Sequence, residues 1–328
     1  MSETAPYAYY HTMGPWDSRN TVYEGLRRGY RFGFVGSTDH HAGFPGSYGD
    51  GKMAVWAEKK TRESIWEAML ARRTYAVTGD RIQCRFSVND APMGAIVRDS
   101  GSPRQIRYWV KGCYNLDKIV IFKNLRPIRI EEGLLKTGLP SDRRYKFRVE
   151  MGWGNNEKEL FAWKGCISLS KGRILDAEPC FRGRSVLSPS TVDTEGYDFV
   201  NDIDDRILEQ NEEQVQWQCF TVKNPAPTQP LTSAVIVELE GALETEISVN
   251  INGHQHTATV AELMQYGYTE QMKPYHSQAF KVHPVLPESV YTAMGELIDE
   301  APAAGDFYHM EVYQANGSCA FVTPVYFE

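Results

Sequence analysis

The chain lacks any window approaching eighteen uninterrupted apolar residues, so no segment reads as a membrane span. Its first residues, MSETAPYAYYH, contain no basic stretch followed by an apolar one; no signal peptide is visible, and the localisation stays open. Positive charge is in short supply. Against 42 Asp and Glu stand only 35 Lys and Arg, a net charge of −7, which argues against a nucleic-acid binder and against attraction to acidic membranes. Cys84, Cys113, Cys166, Cys180, Cys219 and Cys319 are scattered with no Cys-x-x-Cys spacing, so buried free thiols are expected, although spacing alone leaves a disulfide pair open. Also missing are a Gly-x-Ser-x-Gly elbow, a phosphate-cradling P-loop and a Gly-x-Gly-x-x-Gly turn before a helix.

What is present is enough for a real core: 328 residues with 42% hydrophobic content, suggesting two domains or one large β-rich unit with an appendage. Residues 32–46 read FGFVGSTDHHAGFPG, a short apolar run that ends in an acid and two imidazoles. A buried parallel strand delivering polar groups at its C-terminal edge has this pattern, and that edge is where barrel enzymes keep their chemistry. Asp39 and His41 form an Asp-x-His pair of metal-competent side chains; His40 alternates to the opposite face and reads as a supporting residue. His11 could fold back as a third ligand. Asp50, in the Gly-rich stretch 42–51, could touch a substrate or simply solvate its loop. Arg81 could bind an anion or pair with a carboxylate near a domain junction.

Around this run the pattern predicts two helices. Asp17 or Ser18 would cap the first, which carries Val22 and Leu26 and ends at Gly29. Thr61 would cap the second, TRESIWEAMLARR, with Ile65/Met69 and Trp66/Leu70 as i,i+4 pairs. From Ile82 onward short alternating runs take over, among them QCRFSV, QIRYWVKG, KIVIFK, SAVIVELEG and FYHMEVYQ. They are separated by turn signals such as Asn89-Asp90, Lys171-Gly172, Asn252-Gly253 and Asn316-Gly317. An acidic stretch at 195–214 reads as a helical or looped insertion, and 260–264 as a short helix. The expected fold is α+β, mainly β: a partial α/β barrel segment over residues 1–80, then an antiparallel β-sandwich over 81–328. His254-Gln255-His256, the only His-x-His, falls in a predicted hairpin and reads as an exposed pair; His283 and His309 read as structural.

The block RRGYRFGFVGSTDHH, followed by the Gly/Pro loop, resembles the last metal-binding motif of the PHP (polymerase and histidinol phosphatase) superfamily. With AVWAEKKTRESIWEAMLARRTYAVTGDRI, AFKVHPVLP and YHMEVYQANGSCAFVTPVYF, the chain looks like the C-terminal half of a mostly uncharacterised bacterial family in which a PHP-like barrel carries a long β-rich tail. The resemblance implies a distorted α/β barrel holding divalent metals, often Zn or Mn, and hydrolysis of a phosphoester or other small-molecule ester. Residue by residue it assigns two metal ligands, Asp39 and His41. The family's early His-x-His and middle Glu/His ligands have no counterpart here, so an upstream chain or a second copy in a homo-oligomer would have to complete and cover the barrel. The expectation from a different class is a non-catalytic β-sandwich module that binds a glycan or a partner protein.

Overall fold

The computed structural model describes residues 21–38, 48–49, 51–98, 101–132, 143–154, 160–182, 205–222, 232–275 and 277–328. The alternating runs become strands with the expected two-residue period. In Gln83–Val88, Cys84, Phe86 and Val88 point inward while Gln83 and Arg85 stay exposed. This strand lies antiparallel to Arg104–Lys111, which also pairs with Thr292–Asp299. With Ala91–Pro92 they form a four-stranded sheet. Its inner face packs on an eight-stranded sheet built from Gly51–Val55, Thr74–Thr78, Cys319–Val322, Phe307–Gln314, Val325–Phe327, Ile96–Val97, Leu116–Lys123 and Arg126–Glu132. Ile82, Phe86, Ile106 and Tyr108 from one layer meet Tyr75, Ile119, Met310 and Phe327 from the other in a single core.

A second sandwich has its own core. Arg173–Cys180, Ser233–Glu240, Arg144–Gly154, Gln278–Val282, Tyr268–Gln271 and Leu286–Pro287 make one sheet. Arg206–Gln210, Gln214–Val222, Leu160–Leu169, Glu246–Ile251 and His254–Thr259 make the other. Trp163 and Trp217 are fully buried between them. Gly165 belongs where it is, because a Cβ there would lie 2.1 Å from the Trp217 ring. Ser233–Glu240 is buried on both faces: Val235, Val237 and Leu239 enter this core, whereas Ala234, Ile236 and Glu238 face the first sandwich. That explains why its sequence is an almost unbroken apolar run.

The chain builds most of the first sandwich, leaves it after Arg126–Glu132, and completes the second. It returns through the short helix Glu288–Tyr291 to Thr292–Asp299. The architecture is therefore mainly β, as expected, with the tail forming two sandwiches and no closed barrel among the described residues. Residue 80 lies at the turn joining the two layers of the first sandwich. Thr74–Thr78 on one side of it pairs with Cys319–Val322, and Tyr75 and Val77 share a core with Ile82 and Cys84.

Residues 30–38 lie outside every strand ladder, so the parallel strand expected at 32–36 is not formed. Side chains replace the ladder. The Phe32 amide donates to the Tyr326 hydroxyl, which itself donates to the Phe32 carbonyl at 2.8 Å, and the Phe34 amide donates to Thr323 Oγ1 at 2.7 Å. Phe34 is buried against Leu26 and Tyr326, so the β structure itself covers that side of the segment, while Val35 is exposed.

The first helix is Val22–Arg27, capped by Thr21 rather than by Asp17 or Ser18, which lie outside the described residues. Arg62–Leu70 is capped by Thr61 as the sequence predicts. Its packing differs from the expected pairs. Only Ala68 is buried, Ile65 and Met69 are half-buried, and Trp66 and Leu70 are exposed. Val260–Gln265 is the short third helix, closed by a Thr259/Glu262 capping box. The acidic stretch does not become a helix over its described part, since Arg206–Gln210 is an edge strand pairing with Gln214–Val222.

Candidate functional site

Asp39, His40, His41, His11 and Asp50 all lie outside the described residues. What the structure places are the two feet of the loop that carries four of them. Gly36 and Ser37 run against Gly51 and Lys52 so closely that neither glycine has room for a side chain. A Cβ on Gly36 would sit 2.8 Å from the Lys52 carbonyl oxygen, and one on Gly51 would sit 2.6 Å from the Ser37 carbonyl oxygen. The loop is thus tied at its base.

Tyr48 anchors its far side. The Tyr48 amide donates to the Phe181 carbonyl at 2.9 Å, and Arg182 Nη1 donates to the Tyr48 carbonyl at 2.9 Å. Gly49, at φ +93°, lies under the same guanidinium, where no Cβ fits. The Tyr48 ring is half-encircled by cations, with Lys52, Arg148 and Arg182 at 5.3, 5.4 and 5.3 Å from its centroid. Its hydroxyl donates to Asp80 and accepts from Arg148.

Asp80 is the centre of this seam between the sandwiches. It is fully buried, and its carboxylate also accepts from Arg148, from Gln314 Nε2 at 2.7 Å and from Asn316 Nδ2 at 2.7 Å. Around it Lys111 pairs with Glu238 at 2.7 Å, Lys146 donates to the Gly112 carbonyl at 2.8 Å, and Arg81 pairs with Glu178 at 3.3 Å. The carboxylate role expected for Arg81 at a domain junction is the one observed. Cys113 and Cys180 sit in the same seam as free thiols, and burial pushes both well above the ordinary thiol value, so they are poor nucleophiles. Burial likewise raises the Glu178 carboxyl.

The network continues into the second sandwich. Arg182 Nε donates to the Thr232 carbonyl, Thr232 Oγ1 donates to Glu150, and His283 Nε2 lies 2.8 Å from Glu150 Oε2. Burial alone would raise the Glu150 carboxyl. The His283 and Thr232 hydrogen bonds outweigh it, with Arg148 assisting, and bring it down to about 2. A carboxylate depressed by folding contributes stability that is fully present above its unfolded value and is lost as pH falls through the folded one. The urea midpoint is therefore expected to fall between about pH 4.5 and 2, and less steeply in Glu150→Gln. Parallel midpoint curves for the two proteins would contradict the assignment.

Among the described residues the other histidines have structural partners. His254 Nδ1 lies 2.7 Å from Glu270, and the His256 ring packs on Tyr268 at 4.0 Å; the pair follows the Asn252-Gly253 turn as expected. His309 is fully buried and stacked on Phe122 at 4.6 Å. Among the described residues no three His, Cys, Asp or Glu side chains converge as a metal set, and no helix is long and apolar enough to cross a membrane.

Fold and site together define a mainly β protein with two sandwiches, whose buried ionic seam anchors a Gly-rich loop. Its residues 46–92 match the model of a family described as "Protein of unknown function (DUF3604)". An uncharacterised protein of Chlamydia pneumoniae is 37% identical over 121 residues, covering 33% of this chain and 20% of that protein. One from Chlamydia trachomatis serovar D is 31% identical over 153 residues, 42% of this chain and 24% of its own length. One from Chlamydia muridarum is 35% identical over 127 residues, 34% and 20% respectively. The matched part thus amounts to between a fifth and a quarter of the length of these curated relatives.

Proposed function

We propose that the chain is the C-terminal portion of a PHP-type metal-dependent hydrolase acting on a phosphoester or another ester, with Asp39 and His41 as ligands of Zn or Mn. The observation that carries the reading is the tied loop. Reciprocal backbone contact at Gly36 and Gly51, together with Tyr48 locked to Asp80 and Arg148, fixes both flanks of the segment that bears the two residues. A metal ligand needs that kind of rigid support.

A carboxylate and an imidazole suit Zn or Mn, but two ligands fall short of the three that a hydrolytic site uses. Asp80, the buried carboxylate nearest the loop's anchor, does not fill the gap, because both its oxygens are occupied. In this reading the remaining ligands come from an upstream segment or a second copy. When bound, the metal supplies an activated water; the described residues hold the loop in place. The test is metal content by plasma mass spectrometry on the purified chain and on Asp39→Asn/His41→Ala. Zn or Mn in the wild type is expected to drop about tenfold or more in the variant, as for loss of ligation. Equal content in both proteins would sink the reading.

The alternative is a non-catalytic binding module. It is favoured by the completeness of the two sandwiches, whose cores close without help from the loop. Turnover by a longer form of the protein that depends on Asp39 would exclude it.

A further inference from the structure

On the outer face of the four-stranded sheet lies a cavity of about 430 Å³, remote in character from the ionic seam. Trp56, Trp109 and Met93 line it together with three arginines, Arg73, Arg85 and Arg107. Trp56 and Trp109 are each only half-buried, and Trp56 also packs against the core of the first sandwich.

Trp56 is pinned at both ends. Its amide donates to the Arg73 carbonyl at 2.9 Å, and its indole Nε1 donates to the Cys84 carbonyl at 2.6 Å. The Arg85 guanidinium is held over the Trp56 ring at 4.6 Å and near the Trp109 ring at 5.9 Å.

The charges differ in what balances them. Arg73 is paired with Glu67. Arg107 is paired with Asp90 at 2.8 Å and with Glu296 at 3.0 Å. Arg85 has neither a hydrogen bond nor an ion pair among the described residues and stays exposed, with its donors open. Its charge is thus the one the protein leaves unneutralised in a cavity otherwise walled by apolar surface. A planar guanidinium braced by two indoles is preorganised for a bidentate oxyanion. The volume suits a small molecule.

We propose that this cavity binds a small monocarboxylate with a flat apolar body, the carboxylate on Arg85 and the body against Trp56, Trp109 and Met93. One unpaired positive charge matches one negative charge. A phosphate dianion would need a second free cation, and Arg73 and Arg107 are already committed to carboxylates. None of its lining residues belongs to the Gly-rich stretch, and the proposal does not depend on the hydrolase reading.

The test is isothermal titration of the full chain with benzoate, benzamide and phenyl phosphate, repeated on Arg85→Gln and Ser87→Trp. Benzoate is expected to saturate in the millimolar range or tighter. Benzamide on the wild type, and benzoate on Arg85→Gln, should bind about tenfold or more weakly, as for loss of a charge-assisted hydrogen bond. Ser87→Trp keeps Arg85 but fills the cavity, and should abolish binding. Arg85→Gln should remain folded, its thermal midpoint lowered by no more than a few degrees for the loss of its stacking on the two indoles. Equal benzoate affinity in wild type and Arg85→Gln, no saturable benzoate binding, or phenyl phosphate binding more than tenfold tighter than benzoate would each overturn the proposal.

Discussion

Asp80→Ala is expected to lower the unfolding free energy by about 3–5 kcal/mol, the range for breaking a buried ion pair by removing one partner. The lost hydrogen bonds themselves are the smaller part. With Asp80 gone, Arg148 remains in a seam where its Nε already lacks an acceptor, Tyr48 and Asn316 lose theirs, and Gln314 Nε2 keeps only Asn316 Oδ1. A buried guanidinium deprived of its hydrogen-bonded counter-ion, with only Glu150 left to act on it through charge, is what makes the change severe. Arg148→Met should be similarly harmful, leaving the carboxylate with neutral donors only. The double variant Asp80→Ala/Arg148→Met should cost much less than the two single losses added together, since neither charge is then stranded. Urea unfolding of all four proteins measures this directly. Additivity within about 0.5 kcal/mol, the tolerance for independent sites, would mean that the pair does not hold the seam.

Asp80 also marks the limit of what the sequence discloses. Strand identity was legible because it is local: Cys84, Phe86 and Val88 alternate with polar neighbours, and Asn89-Asp90 and Asn252-Gly253 adopt the left-handed turn geometry their composition suggests. Thr61 and Thr259 announce their helices by the same short-range chemistry. Arg126–Glu132 was harder, being an edge strand exposed along most of its length, and in Thr292–Asp299 the alternation is only between half-buried and exposed positions. The hairpin between Leu116–Lys123 and Arg126–Glu132 turns at Asn124-Leu125. There a leucine at φ 65° takes a conformation that costs roughly 1–2 kcal/mol and that no propensity suggests. Its side chain packs against the cluster of Leu26, Phe34 and Tyr326, which offsets that cost.

Partner choice is the part no local rule reaches. Tyr48 and the Gln314/Asn316 turn lie far from Asp80 in the chain and reach it only through tertiary folding, and Arg148 reaches it only when the two sandwiches meet. Nothing at Gly79-Asp80-Arg81 distinguishes that carboxylate from a solvated turn. The same holds for Arg85, whose open guanidinium is a property of what surrounds it. The insertion of one sandwich into the other was hidden for a related reason: alternation reports that a strand has an inner face but not which core that face enters.

The loop that carries Asp39 and His41 gives the second large expected effect. Gly51→Ala places a methyl group 2.6 Å from the Ser37 carbonyl oxygen, and Gly36→Ala places one 2.8 Å from the Lys52 carbonyl oxygen. Both obstacles are backbone, so no side-chain rotation relieves them and the two feet of the loop must separate. Overpacking of this kind costs about 1–3 kcal/mol. The consequence for the proposed site is expected to exceed that for the fold, because separating Gly36 from Gly51 displaces both ends of the segment that bears Asp39 and His41. If the proposed metal site holds, each variant is expected to retain about tenfold or more less Zn or Mn than the wild type, as when ligand support is removed, while the protein remains folded by far-ultraviolet circular dichroism. Once one substitution has opened the crossing, the second meets free space, so the double variant should be little worse than either single one in both measurements. Additive losses would mean that the glycines act independently and do not form a common tie. Unchanged metal content in a measurably destabilised Gly51→Ala would separate the loop's base from metal holding, and with it the geometric support for Asp39 and His41 as ligands.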